Sequence, residues 1–115
     1  MNSIIKQKSF AFAIRIVRLY KHLTQSKKEF ILSKQLLRCG TSIGALCYEA
    51  EHAQSRADFI NKMNISLKEA NEVIYWITLL RETDYLEGRM FESIYSDGIE
   101  LVRLLASIVK TTKQT

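Results

Sequence analysis

The chain has 115 residues with a formal net charge of +5, is 47% apolar and 25% charged, and contains four glycines and no proline. These values exclude a disordered chain and a two-domain protein, because the length supplies one core and the apolar fraction is enough to fill it. They also count against a β-sandwich or barrel, which needs many turn residues, whereas a chain without proline runs long helices unbroken.

The first predicted helix covers about residues 8–25. On a helical wheel Lys8, Arg15, Arg18 and His22 gather on one side. Phe10, Ala13, Ile14, Val17 and Tyr20 form one apolar band, and Phe12, Ile16, Leu19 and Leu23 form a second beside it. Together they cover more of the circumference than a two-layer contact requires. Either the helix is deeply held or it packs inside its subunit and against a neighbour as well, and the second band, with Trp76, is the candidate contact between subunits. Thr24-Gln25-Ser26-Lys27-Lys28 is polar and reads as the first loop.

A second helix is predicted over about residues 29–53, or from residue 33 with Ser33 as a candidate cap. Leu32, Leu36, Cys39, Ile43, Leu46 and Ala50 recur in steps of three and four, with Cys47 alongside. Gly40, Thr41, Ser42, Gly44 and Ala45 place small side chains among good helix formers, as a close helix approach or a hinge would require. On one helix Cys39 and Cys47 stand about 12 Å apart along the axis, roughly twice the span of a disulfide. They read as reduced core or interface residues, and without further ligands at suitable spacing they make no zinc site.

Ser55-Arg56-Ala57-Asp58 has the form of an N-cap with an acid three residues on, opening a third helix over about residues 56–82. Phe59, Ile60, Met63, Leu67, Ala70, Ile74 and Ile77 form its stripe, and Val73, Trp76, Leu79 and Leu80 a second edge. A fourth helix is predicted over about residues 88–111, with Phe91, Ile94, Tyr95, Leu101, Val102, Leu105 and Val109 inward and Gly98 allowing a tight crossing. The tail, 112–115, is expected to fray. Four long helices on short polar loops make residues 1–115 a single all-α domain, an antiparallel up-and-down four-helix bundle.

Gln35-Leu36-Leu37-Arg38-Cys39-Gly40-Thr41-Ser42-Ile43-Gly44-Ala45 carries a resemblance. So do Ala53-Gln54-Ser55-Arg56-Ala57-Asp58-Phe59-Ile60-Asn61-Lys62-Met63, Leu67-Lys68-Glu69-Ala70 and Tyr75-Trp76. In this order they resemble the bacterial four-helix-bundle family first noticed as reading frames in intervening sequences of 23S ribosomal RNA genes. The resemblance spans nearly the whole chain and implies a homopentameric ring or barrel. That family is in turn similar to the accessory variability protein of diversity-generating retroelements, a basic pentamer that engages reverse transcriptase and nucleic acid. Relatives tend to place Asn and an aliphatic residue before the Glu-Ala or Glu-Gly step. Here the run is Leu46-Cys47-Tyr48-Glu49-Ala50, which alters a buried polar contact and weakens transfer of functional detail.

Charge gives the strongest functional signal. Residues 1–38 hold nine Lys or Arg against the single acid Glu29, a balance of +8, while the remainder is −3. Lys8, Arg15, Arg18, Lys21, Lys27, Lys28, Lys34 and Arg38 are the candidate phosphate contacts, neutralising a backbone without reading bases. The same charges would hold an acidic protein equally well.

Other constellations are thinner. Glu49-x-x-His52 has di-metal spacing, but no matching motif stands on another helix, so solvated surface or a subunit salt bridge is the better account. Arg15 and His22 fit the loose spacing of a family of helical ribonucleases, without the polar neighbour such enzymes usually show. Cys39 and Cys47 lie too near the apolar stripe to serve as nucleophiles. Tyr75 and Trp76 would stack a base, yet at helical spacing packing explains them better.

The reading is a non-enzymatic, self-associating protein with no catalytic residue, metal or cofactor, and RNA or DNA as the ligand of its basic half. A protein-interaction scaffold is the alternative and a helical ribonuclease the remote one. No membrane span or secretory signal is present in the sequence, so cytoplasmic residence is the expectation.

Overall fold

A computed structural model describes residues 3–114. It contains α1 (Ser3–Gln25), α2 (Leu32–Glu51), α3 (Arg56–Glu82) and α4 (Gly88–Gln114), and no strand among those residues. Each helix packs on its chain neighbours and α4 closes onto α1, while the backbones of the diagonal pairs stay apart. With loops this short, packed neighbours must run antiparallel. The bundle measures 46 × 20 × 19 Å. No helix among the described residues is long and apolar enough to cross a membrane.

The core is a set of stripes with steps of three and four. Ile5, Phe12, Ile16, Leu19 and Leu23 come from α1, and Leu36, Cys39, Ile43, Cys47 and Ala50 from α2. Met63, Ala70, Val73, Ile77 and Leu80 face them from α3, and Ile94, Leu101, Leu105 and Val109 from α4. The α1 stripe extends back to the fully buried Ile5, so this helix starts well before residue 8. Ser9 is also buried on that line, where its Oγ donates to the Lys6 carbonyl at 3.2 Å.

The small residues of α2 admit α1 of the same subunit. A Cβ on Gly40 would lie 2.7 Å from Cγ1 and Cγ2 of Ile16, and one on Gly44 3.3 Å from the Ser9 carbonyl oxygen. Gly98 does the same for α4, where a Cβ would meet Cδ1 of Ile74 at 3.0 Å. Close approach, not hinging, explains these positions.

Two further boundaries differ from expectation. α2 begins at Leu32, between the expected starts at 29 and 33, because Lys28 takes a positive φ of 56° and the Glu29 side chain turns inward to cap the helix. The Glu29 carboxylate accepts from the backbone N–H of Ile31, Leu32 and Ser33 at 3.2, 3.0 and 2.7 Å, while Ser33 Oγ–H donates to the Glu29 carbonyl at 2.8 Å. The cap is thus Glu29, with Ser33 in support. At the other end α4 runs on to Gln114, past the expected 111, and the Arg56 guanidinium donates to the Thr112 carbonyl; Thr115 lies outside the described residues. Ser55 caps α3, its Oγ accepting from the Asp58 N–H at 3.0 Å, but the Asp58 carboxylate returns to the N–H of Gln54, at 3.2 Å.

Candidate nucleic-acid interface

The eight basic candidates divide into two groups by what their cations touch. Lys8 pairs with Glu100 at 3.1 Å, and Arg15 reaches Asp97 at 2.6 Å and the Ser93 hydroxyl at 3.0 Å. Arg38 lies between Glu69, at 3.1 Å, and Glu72. The Glu72 hydrogen bond raises the Arg38 pKa further. Glu72 in turn accepts from the Trp76 indole N–H at 2.9 Å; that bond, with Arg38, outweighs desolvation and holds its carboxyl below the usual range. These three cations are therefore spent on partners in α3 and α4, and offer a phosphate little net charge.

Arg18, Lys21, Lys27, Lys28 and Lys34 make no ion pair among the described residues. They run from the last turns of α1, through the loop, to the first turn of α2, at one end of the bundle. The only acid of the first 38 residues does not offset them, because Glu29 is buried. Desolvation raises its carboxyl, but the backbone N–H bonds from Ser33, Leu32 and Ile31 prevail and lower it, so it stays ionised within its own turn. The Glu29 backbone N–H donates to the Leu23 carbonyl at 2.9 Å, anchoring the loop at its other side.

That anchored loop carries two large apolar side chains into solvent: Phe30 is 56% exposed and Ile31 74%. Neither was singled out from the sequence, because a helix starting at residue 29 would have absorbed both. The available signal was an aromatic and an aliphatic residue bracketed by Lys27, Lys28 and Lys34.

The interface candidates require correction. Phe12, Ile16, Leu19 and Leu23 are buried inside the subunit and so leave no surface for a neighbour, while Trp76, packed against the core, keeps part of its surface exposed and donates its N–H to Glu72. The other band of α1 faces out. Phe10 is 68% exposed, Ile14 and Val17 are also exposed, and Tyr48 of α2 stands at 65%. Between α1 and α2 lies an open groove of about 560 Å³, walled by Phe10, Ala13, Ala45 and Tyr48 and floored by Ser9 and Gly44.

The residues weighed for chemistry are arranged as follows. Cys39 and Cys47 are buried and free; burial pushes the Cys39 thiol up to about 12, with the Glu72 charge adding to it. Burial likewise raises Cys47 against hydrogen bonds from Ser66 and Ser9. Neither thiol forms a thiolate near neutrality, which removes the nucleophile reading. Arg15, Arg18 and His22 do line one shallow groove between α1 and α4, above Leu19, Met90 and Ile94, but Arg15 is tied to Asp97. Glu49 pairs with Lys62 at 3.0 Å, while His52 packs edge-on to Tyr48, with ring centroids 5.5 Å apart. No cluster of three or more metal-ligating side chains occurs among the described residues.

A family model described as 23S rRNA-intervening sequence protein matches residues 1–107. No curated protein matches the chain. Among solved structures, a protein of unknown function from the S23 ribosomal protein family of Bacteroides thetaiotaomicron is 58% identical, with a TM-score of 0.93. The match covers 94% of this chain and 96% of that one.

Proposed function

The chain belongs to the 23S rRNA-intervening sequence protein family, and from that premise we propose that it acts without catalysis. In this reading it is a self-associating cytoplasmic bundle whose α1–α2 end binds RNA or DNA through the phosphate backbone. The observation that carries the reading is the set of five cations, Arg18, Lys21, Lys27, Lys28 and Lys34, left without acidic partners at one end. The other basic residues of α1 and α2 are paired across helices, Lys6 with Glu51, Lys8 with Glu100, Arg15 with Asp97 and Arg38 with Glu69 and Glu72. Unpaired cations gathered at one end favour polyanions and carry no base-reading geometry, so binding is weakly selective and steeply dependent on salt.

Self-association rests on the exposed Phe10, Ile14 and Val17 of α1 and on the groove that Phe10 shares with Tyr48 of α2. A contiguous exposed apolar strip of this kind marks a contact surface. A pentamer, as the family resemblance implies, would repeat the basic end around a ring and multiply weak phosphate contacts. An acidic protein partner is the competing reading, and the same apolar strip supports it.

The test is purification at low salt with measurement of native mass and co-purifying material. The wild-type chain is expected to retain nucleic acid as an oligomer. Replacing Arg18, Lys21, Lys27 and Lys28 by Glu should abolish retention while leaving the helical spectrum unchanged. Retention undiminished by those changes overturns the site, and a stoichiometric acidic protein in place of nucleic acid establishes the competing reading.

A further inference from the structure

Resting on the nucleic-acid reading above, we propose that the α1–α2 loop is a stacking platform for unpaired bases, giving the chain a preference for single strands over duplex. Phe30 offers a ring and Ile31 an apolar flank, both exposed, with Lys27, Lys28 and Lys34 within four residues to meet the phosphates. An aromatic side chain among cations is the combination that holds single-stranded nucleic acid, because every base has a face to stack while the charges follow the backbone.

The platform is already ordered before any ligand arrives. The Glu29 carboxylate fixes the backbone N–H of Ile31, Leu32 and Ser33, and the Glu29 N–H ties the loop to Leu23. Binding therefore costs little loop entropy. Glu29 also fills the amino end of α2, which would otherwise attract a phosphate, so the anion is left to the lysine side chains. A duplex keeps its base faces stacked inside and shows the loop only phosphates. A single strand offers both.

A membrane surface is the other anionic partner with an apolar interior. The neighbouring α3–α4 loop lies at the same end and exposes Glu82, Asp84 and Glu87. A flat anionic bilayer pressed on Phe30 would be brought towards those carboxylates. A strand running along the α1–α2 side avoids them, which favours the nucleic acid.

The experiment measures binding of a labelled single-stranded RNA and of the same sequence annealed to its complement, at one salt concentration, for the full chain. Phe30→Ala is expected to lose about 10-fold in affinity for the single strand and to leave duplex binding unchanged, with Phe30→Trp restoring the loss. Lys27→Glu with Lys28→Glu should weaken both forms. Equal effects of Phe30→Ala on both forms, or none on either, overturn the stacking platform while charge-dependent binding persists. Absence of binding to either form by the wild-type chain overturns the underlying reading as well. A fall in native mass in Phe30→Ala assigns the tip to a subunit contact. Its loss of sedimentation with vesicles of phosphatidylserine and phosphatidylcholine assigns it to a membrane. Either result also overturns the proposal.

Discussion

Glu29 decides the local structure on which the basic end is built. It is the lone acid of a strongly basic stretch, and it turns inward to accept from the N–H of Ile31, just before α2, and from the first two N–H groups of α2, those of Leu32 and Ser33. Replacing it by Gln keeps shape and removes charge, so the three bonds weaken without a cavity forming. Loss of a side-chain cap costs about 1 kcal/mol, and the charge-assisted character puts this case towards 2 kcal/mol. The folded-state pKa is depressed, so the stabilisation is fully present above the unfolded pKa of the carboxyl and disappears as pH falls through the folded one. Urea unfolding should therefore place Glu29→Gln well below wild type at pH 7. The gap should close progressively below about pH 4, where an unperturbed glutamate protonates. A gap that stays constant down to pH 2 would mean that the carboxylate charge contributes nothing to the cap.

At the scale of the element, α1 shows what a single sequence discloses and what it withholds. The stripes of α2 and α4 were legible because each has one apolar face and a polar back, so spacing alone sets the rotation, whereas in α3 the buried Val73 and Leu80 come from the edge read as secondary. α1 has two apolar bands, and spacing cannot rank them. The buried Ile5 and Ser9 set the phase; Ile5 lies before the point where the predicted helix began, and Ser9 one residue inside it. With the phase known, Phe12 points inward and Phe10 outward. The candidate interface moves accordingly to Phe10, Ile14, Val17 and Tyr48. Phe10→Glu is expected to leave unfolding by urea within about 0.5 kcal/mol of wild type, as for a surface site, while lowering the native mass in sedimentation. Phe12→Glu, by contrast, places an unpaired carboxylate in the core and should cost more than about 3 kcal/mol. An unchanged mass for Phe10→Glu and Tyr48→Glu together would leave the outward band without an assembly role. The loop after α1 was illegible for a different reason: a buried glutamate cap has no periodic signature, so Phe30 and Ile31 passed as helix.

Across the whole molecule, charge is sorted by contacts that join distant parts of the chain. Arg15 meets Asp97 and Arg38 meets Glu72, pairs separated by 82 and 34 residues, which no local pattern discloses. The net charge of the first 38 residues thus overstates the cationic surface available, and the unpaired remainder lies at one end. Stability and affinity should therefore be governed by different cations. Arg38→Glu sets a third carboxylate beside Glu69 and Glu72 and should cost roughly 1 kcal/mol, an effect read as a lower thermal midpoint that recovers partly in high salt. Its RNA affinity should stay within about twofold of wild type. Lys27→Ala with Lys28→Ala should do the reverse, leaving the thermal midpoint in place and reducing the slope of log K against log salt by about 1.4 for single strands, near 0.7 for each lost phosphate contact. If Arg38→Glu lowers the slope as much as the lysine pair does, the ion pairs open on binding and the paired cations belong to the interface after all. If only the lysine pair lowers it, the end of the bundle built by Glu29 is the surface that meets the polyanion.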